Sequence, residues 1–495
     1  MRTELPAFHP DSDDRRDRRA VVFVAFAALI FASRAWLIET WGSAVPFLDQ
    51  WSVDGDLYRA WIAGTLRASD LVAAHNEHRI LLTRCADLLL FIFSGHWNPW
   101  AQLLLNAVLH TATAAIVAVT FWPALPKPNR AALIVGLAVI FTTTAGWQNA
   151  LWGFQSQVYF TDLLATTAFV WLARSATGTL RTALGCCALA LALFGNASGL
   201  LAALAALVVT ALPGHPRPTW PRLIPLAAVV ALGFVLRVSP AEHAPLHAKN
   251  ISQFLGVAAR CLSWPHVDSA WGWLAMQLPL VALYIRRWKT RTALAPAERF
   301  AVSLAAFAFL NALAIAYSRG AGLPELRPLS RYQDPIILGI AAQWFAAVRL
   351  AADFGTRARL ACIVWSGFAA VGLLSLTSTN LSLNLPFKRA QDDAMVLHAR
   401  RYLKTGDATA FSRDVSSGGI HPEPAAVMRV LDDPVLRPLL PSVLRGNHDA
   451  RPWIVHQARW LTLASALGLA LMLAFNTRKN SQRPHTSVPA PPAAD

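Results

Sequence analysis

The stretch Pro46-Phe47-Leu48-Asp49-Gln50-Trp51-Ser52-Val53-Asp54-Gly55-Asp56-Leu57-Tyr58 places three carboxylates directly behind an apolar run. A carboxylate at a lipid interface is partly desolvated, which favours proton uptake and suits it to take a proton from a hydroxyl or amine. Asp49 is the first candidate for such a base and Asp54 the second, with Asp56 a candidate substrate contact. Aspartate is also a preferred helix N-cap, and either residue could serve only that purpose, as Asp70 before Leu71 could.

Farther along lies Ala74-His75-Asn76-Glu77-His78-Arg79, a dense polar cluster for a connecting loop. His75, Glu77 and His78 could ligate a divalent cation, although their spacing matches no zinc pattern and no fourth ligand is evident. Arg79 and Arg84 fall near one face at helical spacing, where guanidinium forks could grip phosphate oxygens, or simply lipid headgroups. Asn76 adds an amide to the same cluster.

Two later elements carry similar chemistry. Gly146 to Gln157 interleaves two tryptophans with amides, and Asn149, Gln155 and Gln157 suit the hydroxyls of a sugar whose ring packs on the aromatics. Tryptophan also gathers at membrane interfaces whatever the function. In Glu325 to Pro335, Arg327, Arg331 and Tyr332, with Arg319 just ahead, put positive charge where a purely structural outer loop would omit it. Either an anionic ligand or pairing with Glu325 or Asp334 explains that charge. No Ser/His/Asp triad or phosphate-cradling glycine loop stands out, and the five cysteines show no metal-ligand spacing.

Whatever positions these residues is embedded in lipid. The 495-residue chain is 55% hydrophobic and only 15% charged, with mean hydropathy +0.40, too apolar for an ordinary soluble protein. Its formal charge of +16 is spread between apolar segments rather than gathered on one soluble face, which argues against nucleic acid as a partner. About twelve spanning helices are expected, at 20–39, 101–122, 131–147, 158–174, 181–195, 197–213, 221–238, 269–285, 300–318, 335–351, 359–377 and 457–476. The short basic stretches around Arg15–Arg19, Lys127–Arg130, Arg217–Arg222, Arg286–Arg291, Arg357–Arg359 and Arg478–Lys479 then share one side. By the positive-inside rule that side, with both termini, is cytoplasmic, in the inner membrane of a bacterium.

Ile80–Phe93 is short and contains Arg84 and Asp87, so it reads as an interfacial amphipathic helix rather than a span. The expected architecture is therefore all-α. A cytoplasmic tail (1–19) precedes a transmembrane core (20–377) whose outer loop, 40–100, carries amphipathic helices. A small, mostly helical outer segment (378–456), a last span (457–476) and a disordered tail (477–495) follow. Asp162 and His110, the main ionisable residues within spans, lie near enough to span ends to reach the interface by snorkelling.

A first span followed by a long outer loop with acidic residues and amphipathic helices resembles the GT-C fold glycosyltransferases. So does Ser330-Arg331-Tyr332 ahead of a later span. The resemblance implies a polyprenyl-phosphate-linked sugar as donor, a glycan, lipid or protein as acceptor, membrane lipids as surroundings and Asp49 as base, with Asp54 its competitor. It firmly implies no cofactor, a divalent cation being possible. The family's usual Asp-Glu pair is here Asp49-Gln50. The alternative is a multi-spanning transporter or flippase of envelope precursors, which would place ionisable residues inside its spans.

Overall fold

The computed structural model describes residues 11–174, 180–212, 220–353, 355–411, 421–446 and 451–481, most of them in helices. Residues 1–10, Arg217 and the tail 482–495 lie outside these. Among the described residues the strands are one short hairpin, Ala74–His75 against His78–Arg79.

Long runs of Ala, Leu, Phe and Val satisfy every backbone group within one helix, which is what a hydrocarbon solvent demands. Five helices are long and apolar enough to cross a membrane: Arg19–Trp41, Pro99–Ala124, Pro296–Arg319, Asp334–Asp353 and Thr356–Thr405. Shorter or more polar helices occupy the other expected spans, including Lys127–Thr142, Ser156–Arg174, Leu180–Ala192, Ser198–Ala211 and Trp220–Leu236. The chain is an all-α polytopic membrane protein.

One expected span is corrected. Instead of a single helix over 269–285 there are two, Gly272–Met276 and Leu278–Lys289. Pro279 has no N–H for the carbonyl of Ala275, and the Trp365 indole N–H donates to that carbonyl instead, at 3.0 Å. The side chain of Gln343 accepts from the backbone N–H of Leu280 at 2.9 Å, sealing the break with amides rather than water.

A second difference lies at Ser378, where an outer segment was expected to begin. The helix Thr356–Thr379 passes without a loop through a π turn, Asn380–Asn384, into Leu385–Thr405. The wider turn lies immediately before Pro386, whose missing N–H interrupts the helical ladder in any case. Asn380 pins the turn by donating from Nδ2 to the carbonyl and hydroxyl of Thr144, each at 3.2 Å.

The helices pack around a large apolar core in which Phe121 stacks on Phe345 at 4.2 Å and meets Phe300 at 5.2 Å. Gly136 lets Trp344 approach so closely that a Cβ there would lie 2.1 Å from the indole. At one end of the bundle the basic segments assemble: Arg287 pairs with Glu298 at 2.5 Å and Arg286 with Asp353 at 2.6 Å, while Arg349 donates to the Ala124 carbonyl. At the other end residues 40–100 and the described residues of 395–444 share a second apolar core built on Trp51, Tyr58, Phe91, Trp97, Met395, Tyr402 and Leu431. There Gly55 lies against Val430, where a Cβ would come within 2.8 Å. The two segments thus form one cap. Helix Leu81–Ser94 buries Thr83, Asp87, Leu88 and Phe91 toward it and exposes Leu89, Ile92 and Phe93, the amphipathic division expected of an interfacial helix.

Candidate functional site

Asp49 stands at the head of helix Gln50–Ile62 in helical backbone conformation and makes no side-chain capping bond, so its carboxylate is not spent on the helix. The residue before it, Leu48, is held at a φ of 47°, a left-handed conformation unusual for a leucine. Buried His421, from the second half of the cap, anchors that turn. Its Nδ1 accepts from the Glu423 amide at 2.9 Å, which leaves Nε2–H to donate to the Leu48 carbonyl at 3.1 Å.

His75 comes to Asp49 from the hairpin, with Nε2 3.3 Å from Oδ2, and its ring meets Phe154 edge-on at 5.2 Å. Asn76, with φ 49°, makes the tight turn and puts Nδ2 3.2 Å from the same His75 nitrogen. Burial pushes the Asp49 carboxyl upward, as expected at an interface. The hydrogen bond from His75, and the charges of His75 and Arg331, outweigh it and hold Asp49 below the ordinary carboxylate value. Its side chain is still 38% exposed. Asp49 is an accessible carboxylate, ionised at neutral pH.

Arg331 is presented to it by the amide-rich turn at 146–157. Its backbone N–H donates to Gln148 Oε1 at 3.1 Å and its carbonyl accepts from Asn149 Nδ2 at 2.9 Å. The guanidinium lies 5.2 Å over the Tyr332 ring and makes no hydrogen bond or ion pair among the described residues. Buried Lys388, paired with Asp392, brings a second cation 5.0 Å from the ring of Phe47, two residues ahead of Asp49.

The other expected arginines are engaged with the protein itself. Arg79 donates to the carbonyls of Leu236 at 3.1 Å and Val72 at 2.9 Å, and Arg84 to those of Asp70, Leu71 and Ala73 at 2.9, 3.1 and 2.5 Å. Those carbonyls close the short helix Ala68–Val72, whose last acceptors have no intrahelical donors. Arg327 pairs with Asp268 at 3.0 Å and Glu325 at 2.9 Å on the surface. Asp56 and Arg429, both exposed, pair at 3.2 Å away from Asp49.

Glu77 is a hub. It pairs with Arg319 at 2.5 Å and with His243 at 2.7 Å, and Arg319 also donates to the Tyr332 hydroxyl at 3.2 Å. Burial pushes the Glu77 carboxyl up, and His78 and Arg319 outweigh it and hold the carboxyl low. Desolvation pulls His78 below the ordinary imidazole value, and its Nδ1 accepts from the Ala197 amide at 3.1 Å. His75 thus turns to Asp49, while His78 stays beside Glu77, with Nε2 3.9 Å from its carboxylate. Among the described residues no three His, Cys, Asp or Glu side chains converge as a metal site.

Asp54 is 1% exposed. It accepts from Gln102 Nε2 at 2.8 Å, while Gln50 donates to Gln102 at 2.6 Å. Burial pushes its carboxyl up to about 7. Burial, with Asp54 nearby, also raises the wholly buried Asp87 far above the carboxylate range. Asn149 and Gln155, expected to meet sugar hydroxyls, are buried as well, and Asn149 ties Arg331 to Asp334, with 2.6 Å to Asp334 Oδ2.

The expectation that Asp162 and His110 snorkel to an interface is overturned. Each is only 4% exposed and faces inward, because Arg34 lies across the bundle with Nη2 3.0 Å from His110 Nε2 and 3.0 Å from the Phe141 carbonyl. Arg34 was not singled out from the sequence, and Asp334 only as a pairing partner for the arginines of its own loop. An ionisable residue within an apolar run is the signal that would have found Arg34.

No protein-family model matches the chain, and no curated protein matches it. The crystal structure of ArnT from Cupriavidus metallidurans bound to undecaprenyl phosphate is similar over 93% of this chain and 78% of that chain, with 15% identity and a TM-score of 0.43.

Proposed function

We propose that this protein is a membrane glycosyltransferase that moves a sugar from a polyprenyl-phosphate donor to an envelope acceptor. The cap faces away from the cytoplasm and both termini face into it. The observation that carries the reading is the pairing of an ionised, accessible carboxylate, Asp49, with an uncommitted guanidinium, Arg331, under the lip of a lipid-embedded bundle.

Such a pair suits displacement at an anomeric carbon. Asp49 takes the proton of the acceptor hydroxyl as its oxygen bonds to the sugar carbon. The bond from that carbon to the phosphate oxygen breaks, the electron pair leaves with the phosphate, and Arg331 meets the added charge. Tyr332 orients the guanidinium and Phe154 backs the His75 ring. A cell membrane lacking the protein, complemented with wild type or Asp49→Asn, provides the test. Mass spectrometry of envelope glycans and polyprenyl-phosphate sugars is expected to find a missing sugar and accumulated donor in the variant at normal protein level. Full glycans in Asp49→Asn cells eliminate Asp49 as base.

A second reading, transport or flipping of envelope precursors, is favoured by the ionisable cluster buried between helices at Arg34, His110, Asp162 and Asp334. Unchanged glycans in the deletion strain itself would favour it over glycosyl transfer.

A further inference from the structure

Four helices converge just beneath the Arg331 turn, and the side chains they bring together are unusual for a hydrocarbon-embedded core. A cavity of about 10 Å³ is lined by His110, Thr113, Phe141, Tyr159, Asp162 and Asp334, among others. That volume is roughly one water-sized sphere. The Tyr159 hydroxyl, Asp162 Oδ1 and Asp334 Oδ1 are buried without a hydrogen-bond partner among the described residues, as are Nε and Nη1 of the neighbouring Arg34. Tyr159 is 2% exposed, Asp334 3% and Asp162 4%. Buried oxygens are rarely left unsatisfied, so the three oxygens of Tyr159, Asp162 and Asp334 are arranged around something that meets them.

The charge balance narrows what that is. His110 Nε2 lies 3.0 Å from both Arg34 Nη2 and the Phe141 carbonyl oxygen, and Arg34 Nη2 donates to that same carbonyl at 3.0 Å. Asp162 and Asp334 bring two carboxyls to the chamber with no ion-pair partner among the described residues, since Arg34 donates to the Phe141 carbonyl instead, and a buried carboxylate calls for a proton or a cation beside it. The oxygens facing the cavity are hard ligands: two carboxylates, a phenol and the Thr113 hydroxyl, whose own proton goes to the Leu109 carbonyl at 3.0 Å.

We propose that this chamber binds one monovalent alkali cation, of sodium or potassium size, between Asp162 and Asp334, with Tyr159 and Thr113 as neutral ligands. The bound ion fixes Asp334. Because Asn149 Nδ2 bridges Asp334 Oδ2 at 2.6 Å and the Arg331 carbonyl at 2.9 Å, it also fixes the turn that presents Arg331. The site is independent of whether the chain transfers sugars.

Purified full-length protein in detergent tests it by thermal melting in sodium, potassium or N-methylglucamine chloride at equal ionic strength. Saturating sodium or potassium is expected to raise the melting temperature by about 2–5 °C over N-methylglucamine. Lowering the pH should raise the half-saturating concentration, because protons compete at Asp162 and Asp334; Arg34, His110 and Tyr159 are the other ionisable groups facing the chamber. Asp162→Asn should abolish the cation response. Tyr159→Phe, which keeps the charge and shape, should weaken half-saturation about tenfold, and serves if the Asn variant does not fold. Equal melting in all three salts, or a full response surviving in Asp162→Asn or undiminished in Tyr159→Phe, overturns the proposal.

Discussion

The difference between Asp49 and Asp54, five residues apart, is one of surroundings alone. Asp49 has His75 and Arg331 to stabilise its charge, whereas Asp54 has neutral amides and a second buried carboxyl. Replacing Asp49 by Asn should lower sugar transfer by about 10²–10⁴-fold with unchanged membrane abundance, measured on isolated membranes with a lipid-linked donor. His75→Ala removes the largest of the influences that lower Asp49, so the acid limb of the pH–rate profile should move to higher pH. At Asp54 the consequence is for stability. Its proton is retained in the folded state up to about pH 7 but lost from the unfolded chain near 3.8, so the folded state binds more protons across that window and stability falls as pH rises through it. Asp54→Asn should flatten that decline and melt above wild type at pH 8. Position after the first apolar run made Asp49 legible in the sequence. Its ionisation was not, because Arg331 approaches from more than 280 residues away.

At the scale of elements, the arginines Arg79 and Arg84 illustrate what spacing cannot reveal. Two guanidinium groups at helical spacing read as an anion grip, yet the structure turns both onto backbone carbonyls, because a five-residue helix, Ala68–Val72, needs donors from elsewhere. Arg84→Ala should destabilise this part of the cap by about 1–3 kcal/mol, seen as faster proteolysis within residues 65–80 while the bundle remains intact. Glu77→Gln should loosen the 239–250 and 319–332 segments together, since one carboxylate holds both His243 and Arg319; hydrogen exchange in those two segments reads it directly. Helix positions followed well from apolar periodicity and length. The break at Pro279 and the unbroken passage through Asn380–Asn384 did not, because each depends on which distant side chain, Trp365 or Thr144, takes over a stranded backbone group or pins the turn.

Over the whole molecule, charge divides the two ends of the bundle. Arg286, Arg287, Arg299 and Arg349 crowd one end with Glu298 and Asp353, and the carboxylate-and-arginine site occupies the other. With the basic end in the cytoplasm, Ser69→Cys in the cap should react with an impermeant maleimide applied to spheroplasts, and Thr290→Cys should react only after permeabilisation; the reverse pattern inverts the topology. Apolar content made the lipid-embedded class legible from composition. The interior ionic chamber was hidden because its members are scattered from Arg34 to Asp334 along the chain. The unbroken helix Thr356–Thr405 has a mechanical implication. It is a crankshaft whose lower half is immersed in lipid and whose upper half forms a wall of the cap, with Lys388 beside the Asp49 turn. A thicker or thinner bilayer changes the tilt of the lower half by hydrophobic mismatch, and the π turn at Asn380–Asn384, pinned to Thr144, is the joint at which that tilt meets the cap.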